Sequence, residues 1–267
     1  MSNSIHTFVI LAYQESPHLE SCIKSVLNQN HPSQVIIATT TPNQSIKSLA
    51  SKYKLDIIVG KHTNIGGDFD FAIRAGATKL ITVAHQDDIY SKNYSTEIIQ
   101  SYHKHQNSSI IFTDYYELRG NRKVYTNVNL KIKRLLLLPI RFKKSLKSRH
   151  AKRSILKFGN PICCPAVTFV INNCPKNIFK SHFQCNCDWH AWEKLSKHSG
   201  AFTFIPQPLM GHRISKSSTT TSIINQGIRT REDYEIFCRF WPKPIAKFLT
   251  KFYQNSEKSN ELKQGDE

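Results

Sequence analysis

LITVAHQDDIY, residues 80–90, is an apolar, strand-like run that stops abruptly at two adjacent carboxylates, Asp87 and Asp88. A strand buried on both faces of a parallel sheet reads as a continuous hydrophobic run, and open α/β sheets bind their ligands beyond the carboxyl ends of such strands. The two acids therefore stand where that kind of fold holds its ligand, and a pair of carboxylates there invites a hard divalent cation. A local reading competes: the pair also suits the cap of a helix starting near Asn93.

The pattern spreads outward from this run. Residues 7–13, TFVILAY, read as a second buried strand, with Ser16 as N-cap and Pro17 as first residue of a helix whose Leu19, Cys22, Ile23, Val26 and Leu27 share one face. Residues 35–40 form another strand, Pro42 leads into a helix marked by Ile46, Leu49, Ala50 and Tyr53, and residues 55–59 make a short third strand. Residues 64–67 turn into a helix through Phe71 and Ile73, with Gly66 and Gly67 serving the turn. A helix over 93–105 and a strand over 110–115 follow. Strands alternating with helices predict a parallel sheet with right-handed crossovers.

At 267 residues the chain can bury a large α/β core and still carry a small appendage. Its 37 Lys and Arg against 19 Asp and Glu give a net charge of +18, which calls for an anionic partner: nucleic acid, anionic lipid or a phosphorylated substrate. No apolar run reaches about 18 residues and the N-terminus lacks a charged segment followed by an apolar one, so neither a spanning helix nor a signal peptide is expected and the chain is placed in the cytoplasm. The seven cysteines form no CxxC pair and read as reduced thiols; Cys185, Cys187 and His190 fit no common zinc spacing.

The charge is uneven. Residues 131–153 hold ten Lys or Arg and no acid, with Pro139 breaking any helix there. Residues 238–253, CRFWPKPIAKFLTKFY, likewise interleave cations with aromatic and aliphatic side chains. Both segments read as an anionic membrane contact, against the alternatives of a solvated face and a packed aromatic helix.

Three pieces in order, FVILAYQESPHLESCIKSVLNQ (8–29), NIGGDFDFAIRAGA (64–77) and the strand into HQDD (85–88), resemble the nucleotide-sugar half of a family 2 glycosyltransferase, the inverting GT-A group. Further on, NPICCPAVTFV (160–170) resembles the strand entering that family's acceptor half, and CDWHAWEKL (187–195) its acidic motif at a helix start. The resemblance spans roughly residues 5–220. It implies a Rossmann-like, mostly parallel sheet flanked by helices: a domain over 1–222, with a nucleotide-sugar half (1–120) and an acceptor half (121–222). A basic helical appendage (223–255) and a disordered tail (256–267) would follow.

The activity implied is transfer of a sugar, with inversion, from a nucleotide-diphosphate donor, a UDP-sugar, to a hydroxyl of a glycan or lipid-linked glycan. Breaking a sugar–diphosphate bond releases a doubly charged group, which Mn²⁺ or Mg²⁺ stabilises while taking only one or two carboxylates from the protein. By resemblance Asp87 and His212 hold the metal. The donor falls to Ala12, Tyr13, Glu15, Thr40, Arg74, Gln86, Asp87, Asp88 and Arg213. Asp188 is the general base that takes the acceptor's proton, with Glu193 a weaker substitute. Asp188 also reads as a first-turn charge of the helix through Trp192 and Leu195, and GHRISKSSTTT (211–221) also reads as a polar loop.

Two departures from the family stand out. Thr39, Thr40, Thr41 and Pro42 occupy the place of the acids that hold the nucleoside, and His85 takes the first position of the usual Asp-x-Asp, so Asp87 alone matches the metal-contacting acid. A nucleotidyltransferase, the nearest rival enzyme, would show a Gly-rich loop after the first strand, where AYQESPH has none. Nucleic acid is not expected as a partner, since no known module is visible and the charge concentrates after residue 130. A nucleic-acid-binding basic protein and a catalytically degenerate GT-A scaffold are the remaining alternatives, and a peripheral position on the inner face of the membrane completes the expectation.

Overall fold

The computed structural model describes residues 4–214 and 227–258. Its sheet begins with β1 (His6–Ala12), β2 (Gln34–Thr39) and β3 (Asp56–Val59), connected by α1 (Leu19–Leu27) and α2 (Gln44–Tyr53). Helix α3 (Ile65–Ala75) then returns the chain to β4 (Leu80–His85). β1 pairs in parallel with β2 and β4, and β2 with β3. The continuous apolar run of β1 divides by the strand period of two: Phe8, Ile10 and Ala12 enter a core with α1 and α2, while Val9 faces the other core with Phe69 and Ala72 of α3. Asn43 and Asn64 cap α2 and α3 by accepting the N–H groups of Ile46 and Gly67.

The rest of the sheet is mixed. After β5 (Ile89–Tyr90) and α4 (Tyr94–Lys104), β6 (Ser108–Arg119) lies parallel to the distant β10 (Ala201–Ile214). β9 (Val167–Val170) runs antiparallel between β4 and β6, so the order is β3-β2-β1-β4-β9-β6-β10-β5. β7 (Arg122–Val124) pairs with β6 and β8 (Ser145–Leu146) with β10. With β9 reversed against both neighbours, β1, β4, β6 and β10 end at one edge, which collects the strand-end residues on one side of the molecule.

Ser16 does not begin α1 directly. The helix starts at Leu19, and Ser16 stands three residues earlier with its Oγ accepting the His18 N–H at 3.2 Å. Pro139 separates α5 (Val128–Leu136) from α6 (Leu138–Lys143), serving as an opening residue of the second helix. Residues 211–214 of the expected polar loop belong to β10, and 215–221 lie outside the described residues.

The basic stretch is not one outward face. Arg134 donates to Asp114 Oδ2 at 2.8 Å, Lys133 to the Tyr115 hydroxyl at 2.9 Å, and Lys152 to the carbonyls of His198 and Gly200 at 2.6 and 2.8 Å. Arg153 pairs with Glu193. These four belong to α5 and α7 (Arg149–Ser154) and donate to acids, carbonyls and the Tyr115 hydroxyl. The outer faces of α5 and α6 show Ile132, Leu135 and Phe142 among Lys131, Arg141 and Lys143.

The C-terminal helices pack on the body. Phe237 of α9 (Ile228–Cys238) and Tyr253 of α10 (Lys243–Lys258) meet the ring of Trp189 at 5.1 and 5.7 Å, on α8 (Cys187–Lys197). Ile245, Phe248 and Phe252 of α10 stay exposed while Ala246 and Thr250 are buried. The expected tail from 256 begins inside α10, and its residues 259–267 lie outside the described residues. No described helix is long and apolar enough to cross a membrane.

Candidate active site

Asp87 and Asp88 leave β4 in a tight turn, the Asp88 N–H donating to the His85 carbonyl at 3.1 Å. They take different environments. Asp87 Oδ1 accepts from Ser16 Oγ at 2.5 Å, so the loop after β1 is fastened to the end of β4. Asp88 is buried and accepts from His212 Nδ1 at 3.1 Å and from the Arg213 N–H at 2.8 Å, both on β10. Arg213 Nε reaches the Asp87 carbonyl at 2.9 Å. Burial works against the charge on Asp88, yet His212 and the Arg213 N–H hold its pKa below the usual range. The same contest on His212 ends with Asp88 raising its pKa against burial. The expected cap role is not what the pair does: α4 is preceded by Asn93 and takes no side-chain cap bond.

Gln86 joins β4 to β1 through a two-way bridge, accepting from the Tyr13 N–H at 3.1 Å and donating to the Tyr13 carbonyl at 2.8 Å. The bridge fixes the backbone just after Ala12, where Gln14 takes a left-handed φ of 55° and donates its N–H to Thr41 Oγ1 at 2.6 Å. Tyr13 is half exposed, its ring 6.1 Å from that of His62, and Glu15 is exposed beside it. The acid missing after β2 arrives from elsewhere. Asp68, in the first turn of α3, accepts from Thr40 Oγ1 at 3.1 Å and from His62 Nδ1 at 2.8 Å, leaving Oδ1 buried without a partner.

Arg74 is not brought here. It lies in the last turn of α3, toward the start of β4, and donates to Asn177 Oδ1 at 3.2 Å, because the helix runs away from the strand ends that carry Asp87. Glu193 is likewise unavailable as a base: it is buried under Arg153, Lys197 and Arg239.

Asp188 stands in the first turn of α8. Its Oδ2 accepts from Asn160 Nδ2 at 2.7 Å and its Oδ1 from the Trp189 N–H at 2.7 Å. Burial raises its pKa, and those two donors only partly oppose the shift. The loop before it is held by Glu232 of α9, which accepts the N–H groups of Gln184, Cys185 and Asn186 at 2.7, 2.9 and 2.9 Å. Neither Asn160 nor Glu232 was identified by sequence reasoning; Asn160 lay inside a noted motif, whereas Glu232 carried no signal. The thiol of Cys163 is pushed up by burial, with Lys133 opposing the shift and the charges of Asp88 and Asp188 adding to it.

A divalent cation fits the donor set. His212 commits Nδ1 to Asp88 and leaves Nε2, the arrangement in which a carboxylate orients a ligating histidine, and Asp87 commits only Oδ1 to Ser16. Among the described residues no three His, Cys, Asp or Glu side chains converge, so substrate phosphates would complete the coordination.

Carboxylates at the carboxyl end of a parallel strand stand where open α/β folds bind their ligands. The model of Glycosyl transferase family 2 matches residues 7–170, and the chain belongs to that family; it is a glycosyltransferase enzyme. No curated protein matches it by sequence. The solved structure of S. aureus TarS 1–349 is similar at TM-score 0.60 and 10% identity, covering 92% of this chain and 69% of that one. TarS 1–349 in complex with UDP-GlcNAc gives 0.57 and 10% over 94% and 71%. The mannosyltransferase PcManGT from Pyrobaculum calidifontis, in complex with GDP-Man and Mn²⁺, gives 0.60 and 10% over 93% and 69%. The shared architecture is the GT-A fold.

Proposed function

We propose that this enzyme transfers a sugar from a nucleotide-diphosphate donor, a UDP-sugar, to a hydroxyl of a glycan or lipid-linked glycan, with inversion. The observation that carries the reading is the acidic turn after β4, where Ser16 fastens Asp87 and His212 and Arg213 of β10 hold Asp88. Donor complexes of TarS and PcManGT, on the same fold, support it.

In this reading Tyr13, Thr40 and Asp68 receive the nucleoside and Gln86 fixes the loop that carries Tyr13. Asp87 and His212 would hold Mn²⁺ or Mg²⁺, which supplies charge stabilisation to the departing diphosphate. Asp188, its pKa raised by burial, accepts the proton of the attacking hydroxyl, and Asn160 aims it. A single in-line displacement inverts the anomeric centre. The domain division at residue 222 stays part of this proposal, with α9 and α10 as the unit that supports the Asp188 loop.

The exposed Ile245, Phe248 and Phe252 with Lys247 and Lys251, and Leu135 and Phe142 with Lys131 and Arg141, support peripheral binding to the anionic inner face of a membrane, where a lipid-linked acceptor resides. The test is a thermal-shift panel of UDP, GDP, CDP and dTDP with and without Mn²⁺. A ligand at a hundred times its Kd adds about 2.7 kcal/mol of stability. A metal-dependent shift with UDP is expected, and no shift with any nucleotide overturns the reading.

A further inference from the structure

Lys133 is the one member of the inward-turned basic quartet with a single described hydrogen-bond acceptor, and that acceptor is a neutral hydroxyl. Arg134 and Arg153 meet carboxylates, and Lys152 meets two carbonyls, whereas the Lys133 ammonium donates to the Tyr115 hydroxyl at 2.9 Å and lies 5.3 Å from that ring's centre. Among the described residues no carboxylate comes within ion-pair range of it. A part-buried ammonium has three N–H donors and only one described acceptor here, which leaves donors for an anion.

Its surroundings say where that anion sits. The Tyr115 ring that tethers it is 6.2 Å from the ring of His212, on the metal side of the cleft. Its charge opposes the upward push of burial on the Asp188 carboxyl and the Cys163 thiol. Lys133 therefore stands one ring away from His212. Tyr115 is buried, which makes the tether rigid, and α5 is fixed in turn by Arg134 on Asp114.

We propose that Lys133 is a phosphate-binding residue of the active site, its ammonium held by Tyr115 to meet phosphate oxygens on the His212 side. The inference rests on the donor reading above for which phosphate is bound, but the site itself does not. The phosphate belongs either to the donor's diphosphate or to a phosphate-bearing acceptor, and the chemistry of recognition is the same: a point charge with donors to spare.

The experiment titrates wild type, Lys133→Met, Lys133→Arg and Tyr115→Phe with inorganic pyrophosphate, UDP, uridine and farnesyl phosphate by calorimetry, with the melting temperature of each free protein recorded. Lys133→Met is expected to bind pyrophosphate about tenfold more weakly while uridine binding is unchanged, Lys133→Arg to recover part of the loss, and the free Met variant to melt no lower than wild type. A parallel loss for UDP assigns the donor diphosphate; a loss for farnesyl phosphate with UDP unchanged assigns the acceptor. Equal pyrophosphate affinity in wild type and Lys133→Met overturns the proposal, as does a free variant that melts far lower with affinity intact, the mark of a structural lysine; Lys133→Gln replaces Met should that variant not fold. Pyrophosphate discrimination without binding of any nucleotide keeps the Lys133 site and overturns the donor reading instead.

Discussion

Glu232 Oε2 accepts the backbone N–H of Asn186 at 2.9 Å, two residues before Asp188. The same carboxylate serves Gln184 and Cys185, so a residue of the C-terminal helices sets the loop from which the candidate base projects. Hydrogen bonds to a charged group contribute about 1.5–3 kcal/mol each. Glu232→Ala, which strands three N–H groups, is expected to lower stability by about 3 kcal/mol in urea melts and to cut the transfer rate, with Glu232→Gln falling between. Normal transfer by a folded Glu232→Ala would show that the loop holds itself.

Burial raises the Asp188 pKa, so the ionised base is lost, as pH falls, above the ordinary carboxylate range. The acid limb of the transfer rate should lie there, and Asn160→Ala should move it higher still by removing a donor to the charged form. The linkage has the opposite sign for stability: a raised folded-state pKa means Asp188 favours folding most when protonated, and the benefit fades as pH rises through that pKa. Asp188→Asn should therefore abolish transfer yet melt no lower at neutral pH. Transfer by Asp188→Asn at the wild-type rate would place the base elsewhere.

Ser16 holds Asp87, and losing such an outer partner of a metal ligand typically costs about 10–100-fold in metal affinity. Ser16→Ala is expected to need at least about tenfold more Mn²⁺ for the same UDP binding. An unchanged Mn²⁺ requirement would remove Asp87 from the metal site.

Gly66 lies against the chain before α8: a Cβ added there would meet the Phe179 carbonyl oxygen at 2.5 Å. Since a backbone atom cannot yield as a side-chain tip can, Gly66→Ala should destabilise by about 1–3 kcal/mol. Chemical denaturation reads this directly, and a neutral result would mean that α3 shifts freely.

Phe248 and Phe252 project from α10 beside Lys247 and Lys251. Replacing both aromatics by Ser should weaken binding to vesicles rich in phosphatidylglycerol while leaving UDP binding alone. Wild-type protein that floats free of such vesicles at low salt would rule the surface out as a membrane contact.

The sequence by itself determined the parallel half of the sheet and the acidic turn at its end. Those features are local: the apolar run of residues 80–84 with its terminal acids, the Asn residues that cap α2 and α3, and the period-two division of β1 are all set by neighbours a few residues apart. Tertiary structure alone decided the rest. His212 meets Asp88 across 124 positions, Asp68 of α3 comes to Thr40 after β2, and Lys133 leaves a stretch that reads as surface to meet Tyr115 of β6. β9, four residues long, reverses the sheet without a periodic signature of its own. Each depends on which strands pair and which helix faces turn inward, and that is settled by burying two cores around one sheet rather than by any window of sequence.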